Sequence, residues 1–403
     1  MDLNWSAADL AFRDEVRAFF AAELTPELRD AAACLTSVYA PPEIALEWQR
    51  RLHSHGWVAP SWPVEYGGCG WSQVQKYIFA REEAEAGAPP LSPMGLGMCG
   101  PVLLGYGTPA QKAHWLPRML AGDDFWCQGY SETESGSDLA SLRMKAVRDG
   151  DDLVCTGHKI WTTHGHAANM IFVLVRTATL AKPQQGITFA LMDMTSPGVT
   201  VRPTVSLSGE HIQNLITFDE VRVPVANVVG AIDDGWRVAK YLMEFERGGS
   251  QYAPHLRTRL NRLGAHIATL EHGGAALRTR MARVATDVEA MDALELQLMS
   301  RLSVGGAPGT MASVLKVLGT ELSQRLTEVE LDAAGPYAAA WQPQLTVPGG
   351  PTPGFTAPAN GRAAGSAFAA KAVPKYLNDR AGSIYAGSNE IQRNIVWGTL
   401  GRQ

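Results

Sequence analysis

The chain changes its periodicity twice, and this restricts its fold more than any other feature. Up to about Gly122, apolar residues recur at helical spacing. Leu10, Val16, Phe19, Phe20 and Leu24 fall mostly on one side of a helix, and Ile44, Trp48 and Leu52 repeat every fourth residue. From there to about Val229 the text is strand-like, with candidate strands LVCTGHKIWTT, MIFVLVRT, ITFALMDM, VTVRPTV and NLITFDEVRVP. Turns at DGDD, PQQG and SPG separate several of them. No helical pattern lies between these strands, so parallel βαβ units are not expected; an antiparallel sheet or small barrel is. Around Asp233 to Trp236 the helical pattern returns and runs to the end. One stretch interrupts it: Ala333 to Ala370 is rich in Pro, Gly and Ala, and is too long for an ordinary connection.

The expected fold class is therefore α+β in three parts: a helical domain over 1–122, a middle antiparallel β-domain over 123–235, and a helical domain over 236–403 with the excursion at 333–370. A chain of 403 residues suits several domains, because single cores stop growing near roughly 250–300 residues. Local signals support the parts. A helix should start after Trp71, run through REEAEAG and stop at Gly87. The run MGLGMCG is helical only if something packs closely against its glycines. Met291, Leu294, Leu298 and Leu302 read as core.

Composition excludes some functions. A net charge of −5 gives no basic field for nucleic acid or an anionic membrane. No apolar stretch of about 18 residues exists, and the N-terminal MDLNWSAADLAFRDEV has neither the basic flank nor the apolar core of a secretion signal. Cys34, Cys69, Cys99, Cys127 and Cys155 form no C-x-x-C pair. They read as reduced structural thiols of a cytoplasmic protein, and no metal site is expected. His164 and His166 show no zinc spacing and read as structural histidines. Glu132 and Asp138 read as loop and capping carboxylates.

Three segments carry chemistry. Residues 126–138 read WCQGYSETESGSD, residues 157–163 read GHKIWTT, and residues 384–394 read IYAGSNEIQRN. In this order, on a helical–β–helical chain, they resemble the three signatures of the acyl-CoA dehydrogenase family. The likeness is weakest from Gly248 to Ala370. Within the family the chain is most similar to large subunits of the pimeloyl-CoA dehydrogenase type, with steroid-side-chain dehydrogenases as more distant cousins.

The resemblance implies FAD as cofactor and an acyl-CoA thioester as substrate. It implies loss of an α-proton to a carboxylate and of a β-hydride to the flavin, giving the 2-enoyl-CoA. It assigns Tyr130, Ser131, Gly136, Trp161, Thr163, Gly387, Ser388 and Glu390 to the cofactor. It assigns Ser137, Glu244 and Arg247 to the substrate. Glu390 stands where glutamine is usual, and a carboxylate there would repel a diphosphate.

The base is where this chain departs from many relatives. The residue after Tyr385, often glutamate in the family, is Ala386. A minority of relatives carry the base on a helix, immediately before an arginine, and Glu246–Arg247 matches that arrangement. Ala386 can still act through its backbone N–H, which in the family donates to the thioester oxygen. A second departure concerns assembly. The Arg-x-x-Phe-Gly run that reaches a neighbour's FAD in homotetrameric relatives is missing from LEHGGAALRTRMARVATDVEAM, and the later Gly-Gly-x-Gly run is reduced to LDAAGPYA. A homologous partner subunit is expected to supply what is missing; Arg278, Arg280 or Arg283 in a homo-oligomer is the rival. The resemblance also implies an electron acceptor such as electron-transferring flavoprotein. A non-catalytic or partner-dependent subunit, and a flavin oxidase or monooxygenase on the same fold, are the alternative functions.

Overall fold

The computed structural model describes residues 5–248, 252–271, 273–346, 356 and 364–400; the side chains of Glu244, Glu246, Arg247 and Leu400 lie outside the described residues. Six helices precede the first strand: α1 (Ala7–Glu23), α2 (Pro26–Ala33), α3 (Pro42–Ser54), α4 (Gln73–Ala86), α5 (Gly100–Tyr106) and α6 (Pro109–Ala121). Three of them open on the same device. Ser6 with Asp9, Ser72 with Gln75, and Thr108 with Gln111 each form a capping box, which satisfies two orphan amides at the helix start. Gly87 and Gly122 end α4 and α6 in the left-handed region.

The glycine-rich run folds as the packing condition required. Met94–Cys99 is a π-helical turn leading into α5. A Cβ on Gly100 would come within 2.1 Å of the Trp62 ring, and one on Gly95 within 3.2 Å of Trp126. Indole rings occupy the room that side chains would take, which overrides the poor helix propensity of glycine.

Seven strands follow: β1 (Trp126–Gly129), β2 (Lys145–Asp149), β3 (Asp152–Lys159), β4 (Met170–Arg176), β5 (Ile187–Asp193), β6 (Val199–Val205) and β7 (His211–Pro224). They make one sheet in the order β1-β4-β2-β3-β7-β6, with β5 on the other side of β4. Most pairings are antiparallel, but β4 pairs in parallel with β1 over residues 170–173 and with β2 at Arg176. The loop from β1 to β2 therefore emerges between two strands that share one edge of β4. Strands β4 and β5 are buried on both faces, which explains their unbroken apolar runs. Met170, Phe172 and Leu174 face the N-terminal helices, while Ile171, Val173 and Val175 face the sheet's own interior.

Two details differ from the sequence expectation. β1 and β2, of four and five residues, were not among the expected strands; both are too short for a period to show. β3 ends at Lys159 rather than Thr163, because Trp161 (φ 61°) and His164 (φ 54°) take left-handed backbone that breaks the extended run.

The remaining helices are α7 (Gly235–Gly248), α8 (Tyr252–Ala268), α9 (Gly274–Ser303), α10 (Met311–Ala334), α11 (Ala367–Asp379) and α12 (Asn389–Leu400). Helices α8, α9 and α10 share a core that includes Leu263, Val288, Met291, Leu298 and Leu326, with Leu294 and Leu302 packed on its edge. Helix α7 packs on β5, α5 and α10. Its start is fixed: a Cβ on Gly235 would lie 2.4 Å from the Phe189 amide nitrogen, and the Asp233 amide donates to Thr188 Oγ1 at 2.9 Å. The excursion runs from Gly335 to Ser366, between α10 and α11. Its ends are tied together: Gln342 donates to the Ala364 carbonyl at 2.9 Å and accepts from its amide at 2.7 Å.

Candidate active site

The first two signature segments meet at the end of β3. The Ile160 amide donates to the Ser131 carbonyl at 2.9 Å. Beneath this contact sits a buried ion pair. Lys159 Nζ lies 2.8 Å from Glu132 Oε1, with the two side chains 0% and 3% exposed. Lys159 also donates to the Tyr130 carbonyl at 3.1 Å, and Glu132 accepts the amides of Arg143 at 2.6 Å and Met144 at 2.9 Å. Burial works against the Glu132 charge, but Lys159 and the two amides outweigh it and hold the carboxyl below its usual range. Burial pulls Lys159 down to about 8, with Glu132 resisting. The pair clamps the backbone on both sides of Ser131. Glu132 is thus a loop carboxylate, as read, with a structural partner that sequence reading missed. Asp138 makes no side-chain cap; its carbonyl accepts from Ser135 and Ser141 instead.

The surface above this clamp is open and polar. Trp161 is 60% exposed and Ser131 and Thr163 are half-buried. Gly136 and Ser137 are exposed, and a Cβ on Gly136 would meet nothing within 4 Å. Tyr130 points the other way, its ring edge-on to Phe172 and Phe189 in the core. Around these residues, Gln128 Nε2, Thr162 Oγ1 and His164 Nε2 are buried with no hydrogen-bond partner among the described residues. So His164 is buried but not satisfied. Burial, with His166 and His211 nearby, pulls its imidazole down to about 4. Asn214 braces this corner, donating to the Thr162 carbonyl at 3.0 Å and bonding His211 and His166 at 2.7 and 3.2 Å. Buried donors and acceptors left idle beside an exposed indole suit a large planar group with a polar edge, and isoalloxazine has that chemistry.

The third segment joins from the C-terminal helices. Ala386 has φ 55° and Gly387 φ 75°, two successive left-handed residues. The amide of Ala386 has no hydrogen-bond acceptor among the described residues. Ser388 Oγ accepts the Ile391 amide at the start of α12, and buried Lys316 donates to Asn389 Oδ1 at 2.8 Å and to the Gly382 carbonyl at 3.2 Å. Glu390 is exposed and keeps its charge: a backbone amide, then Ser388, hold its carboxyl below the usual range. Burial, with Tyr39, Asp379 and Tyr252 nearby, raises the Tyr385 phenol. Tyr39 in turn stands edge-on to His164, with ring centroids 6.2 Å apart. Glu246 lies one turn beyond buried Leu242 on α7. The side chains of Glu246, Glu244 and Arg247 lie outside the described residues. Of the three arginines considered for a homo-oligomeric contact, Arg280 is already paired with Asp332 of α10.

Sequence reading passed over Lys159, Gln128, Asn214, Lys316 and Gln392. Lys159 had left a signal: it shares strand phase with Leu153 and Cys155, so period two places a cation on the inward face.

Helical regions on either side of a sheet that carries this polar corner are the frame of a known family of enzymes. The model of the acyl-CoA dehydrogenase N-terminal domain matches residues 6–123, that of the middle domain 127–221, and that of the C-terminal domain 233–400. The chain is 34% identical to acyl-CoA dehydrogenase IpdE1 of Mycobacterium tuberculosis, over 96% of this chain and 95% of that one. Its fold is similar to the Tcur3481–Tcur3483 steroid ACAD (TM-score 0.80, 30% identity, 100% and 99% of the two chains). It is similar also to the ChsE4–ChsE5 complex of M. tuberculosis (TM-score 0.79, 31% identity, 100% and 99%). The chain belongs to the acyl-CoA dehydrogenase family. It is an enzyme of that class, and FAD is its cofactor.

Proposed function

We propose that the chain removes two hydrogens from the α and β carbons of a bulky acyl-CoA, with Glu246 taking the α-proton and the Ala386 N–H polarising the thioester carbonyl. When bound, FAD supplies the acceptor for the hydride leaving the β carbon. The observation that carries this reading is the Ala386 turn. A non-glycine residue held at φ 55° stores strain, and strain of that kind persists where the surroundings require the geometry. Here it leaves an amide without an acceptor among the described residues, the donor that a developing enolate needs. Loss of a side-chain acid at 386 leaves the proton to another carboxylate, and α7 is anchored to β5 at its start, which makes it a rigid mount for one. Ser131, Thr163 and Trp161 hold the flavin edge and face; Ser137 meets the CoA moiety.

The steroid ACAD among the similar structures suggests a ring-bearing acyl group. The ChsE4–ChsE5 complex suggests a heteromer, in agreement with the missing Arg-x-x-Phe-Gly run. A sister subunit of the same fold then completes the diphosphate side of the cofactor site, and electron-transferring flavoprotein reoxidises the enzyme. Five free thiols fit a reducing cytoplasm. The test is anaerobic titration of the flavin-loaded protein, alone and co-expressed with a sister subunit, against straight-chain and steroid-derived acyl-CoA esters. Bleaching of the flavin band by the ring-bearing ester is expected. Bleaching by straight-chain esters alone overturns the substrate class; no bleaching by any ester in either preparation overturns the activity.

A further inference from the structure

Gln392 is fully buried on the first turn of α12 and faces back onto the strained turn. Its Nε2 lies 3.3 Å from the Gly387 carbonyl and 3.5 Å from the Ala386 carbonyl, so one N–H₂ group reaches both peptide planes that follow Ala386. A Cβ on Gly387 would come within 2.4 Å of the same nitrogen, so the glycine admits the contact. The Gln392 amide itself donates to the Ser388 carbonyl at 2.9 Å, which ties the side chain's base to the turn it holds. Its Oε1 is buried with no partner among the described residues. An uncharged amide kept in a dry site with half of its capacity idle costs stability. The other half must therefore matter, and what it engages is the pair of carbonyls at Ala386 and Gly387.

We infer that Gln392 is a positioning residue that fixes the left-handed Ala386–Gly387 turn so that the Ala386 N–H points at the thioester oxygen. This rests on the role proposed above for that N–H. The physical need is plain. Alanine prefers negative φ, and without an outside restraint the 385–386 peptide relaxes and turns its N–H away. Lys316 and Asn389 hold the far end of the loop, beyond Ser388. Only Gln392 reaches the carbonyls on either side of Gly387 among the hydrogen bonds of the described residues.

The experiment uses the flavin-loaded enzyme with the 2-enoyl-CoA ester of a steroid-derived side chain carrying 13C at the thioester carbonyl, a product-like probe of the proposed substrate class that is not dehydrogenated further. Isotope-edited infrared spectra report carbonyl polarisation as a downshift on binding. The wild type is expected to show the downshift. Gln392→Met and Gln392→Glu, both near-isosteric, should lose most of it and lower kcat about tenfold with KM and flavin content little changed. Adding Ala386→Gly to Gln392→Met should restore part of the downshift, since glycine adopts positive φ without strain. Variants that keep the full downshift overturn the inference and leave the Ala386 reading intact. So does a downshift lost only in proportion to lost flavin, because Gln392 is then a general prop. No downshift in the wild type overturns the Ala386 reading itself, and this inference with it.

Discussion

The two halves of the site are held by different means. On the sheet side, Ser131 is fixed by an ion pair sealed from solvent, by two amides on the same carboxylate, and by a backbone bond to the next signature. On the helical side, Ala386 is fixed by neutral amide contacts of 3.3 to 3.5 Å and by a buried lysine that grips the loop a few residues away. The first arrangement is a charged lock; the second is a strained turn with light restraint. On the proposed function the sheet side receives a rigid flavin and needs the former. A surface that must follow a thioester carbonyl as charge builds on it tolerates the latter.

Four experiments test this contrast. The largest effect is expected at the proposed base: Glu246→Gln should slow flavin reduction in stopped flow about 10²–10⁴-fold while substrate still binds. Full-rate reduction would move the base elsewhere and leave the helical side with the Ala386 N–H as its only proposed chemistry. Next is the charged lock. Lys159→Met leaves Glu132 buried and unpaired and should cost about 3–5 kcal/mol in urea unfolding. The double change Lys159→Met with Glu132→Gln should cost clearly less than the two single losses added together. Equal costs for the pair and the sum would show that the two groups act separately.

The third is a pH effect. His164 has a folded value of about 4, against about 6.5 in an unfolded chain. Between these values the unfolded state binds the proton and the folded state does not, so stability falls as pH drops from about 6.5 through 4. The loss is at most about 3 kcal/mol. Melting temperatures across that range should fall less steeply in His164→Gln. Identical acid limbs in both proteins would remove His164 from the account. The smallest effect is at the rim: Ser131→Ala should weaken flavin binding about five- to tenfold, read by fluorescence on dilution, with unfolding unchanged. A wild-type affinity would mean the hydroxyl faces solvent only.

The same contrast governs what the sequence made legible. The helical–β–helical order could be read because periods of 3.6 and 2 are local properties, and both occur in long runs here. The signatures could be read because each is a short run of neighbouring residues. The parallel pairing of β1 with β4 could not: its partners Trp126 and Met170 are far apart in sequence, and four residues carry no period. The Glu132–Lys159 lock was half-visible, as a lysine in inward strand phase, but only folding brings the carboxylate beneath it. Positive φ at Trp161, His164 and Ala386 left no mark, since none is glycine or asparagine. Gln392 lay inside a recognised signature, yet its hold on the turn depends on the left-handed backbone at Ala386 and Gly387, which sequence does not announce at an alanine.

The bonds between Gln342 and Ala364 bear on how this chain tolerates change in length. The excursion's described ends meet at Gln342 and Ala364 through two hydrogen bonds of ordinary length. For a segment whose ends are already joined, a change in length costs little, because closing a loop twice as long costs only about 0.6 kcal/mol more. Evolution can therefore lengthen, shorten or exchange the segment without disturbing α10 or α11, and an experimenter can graft a tag or a reporter domain there for the same reason.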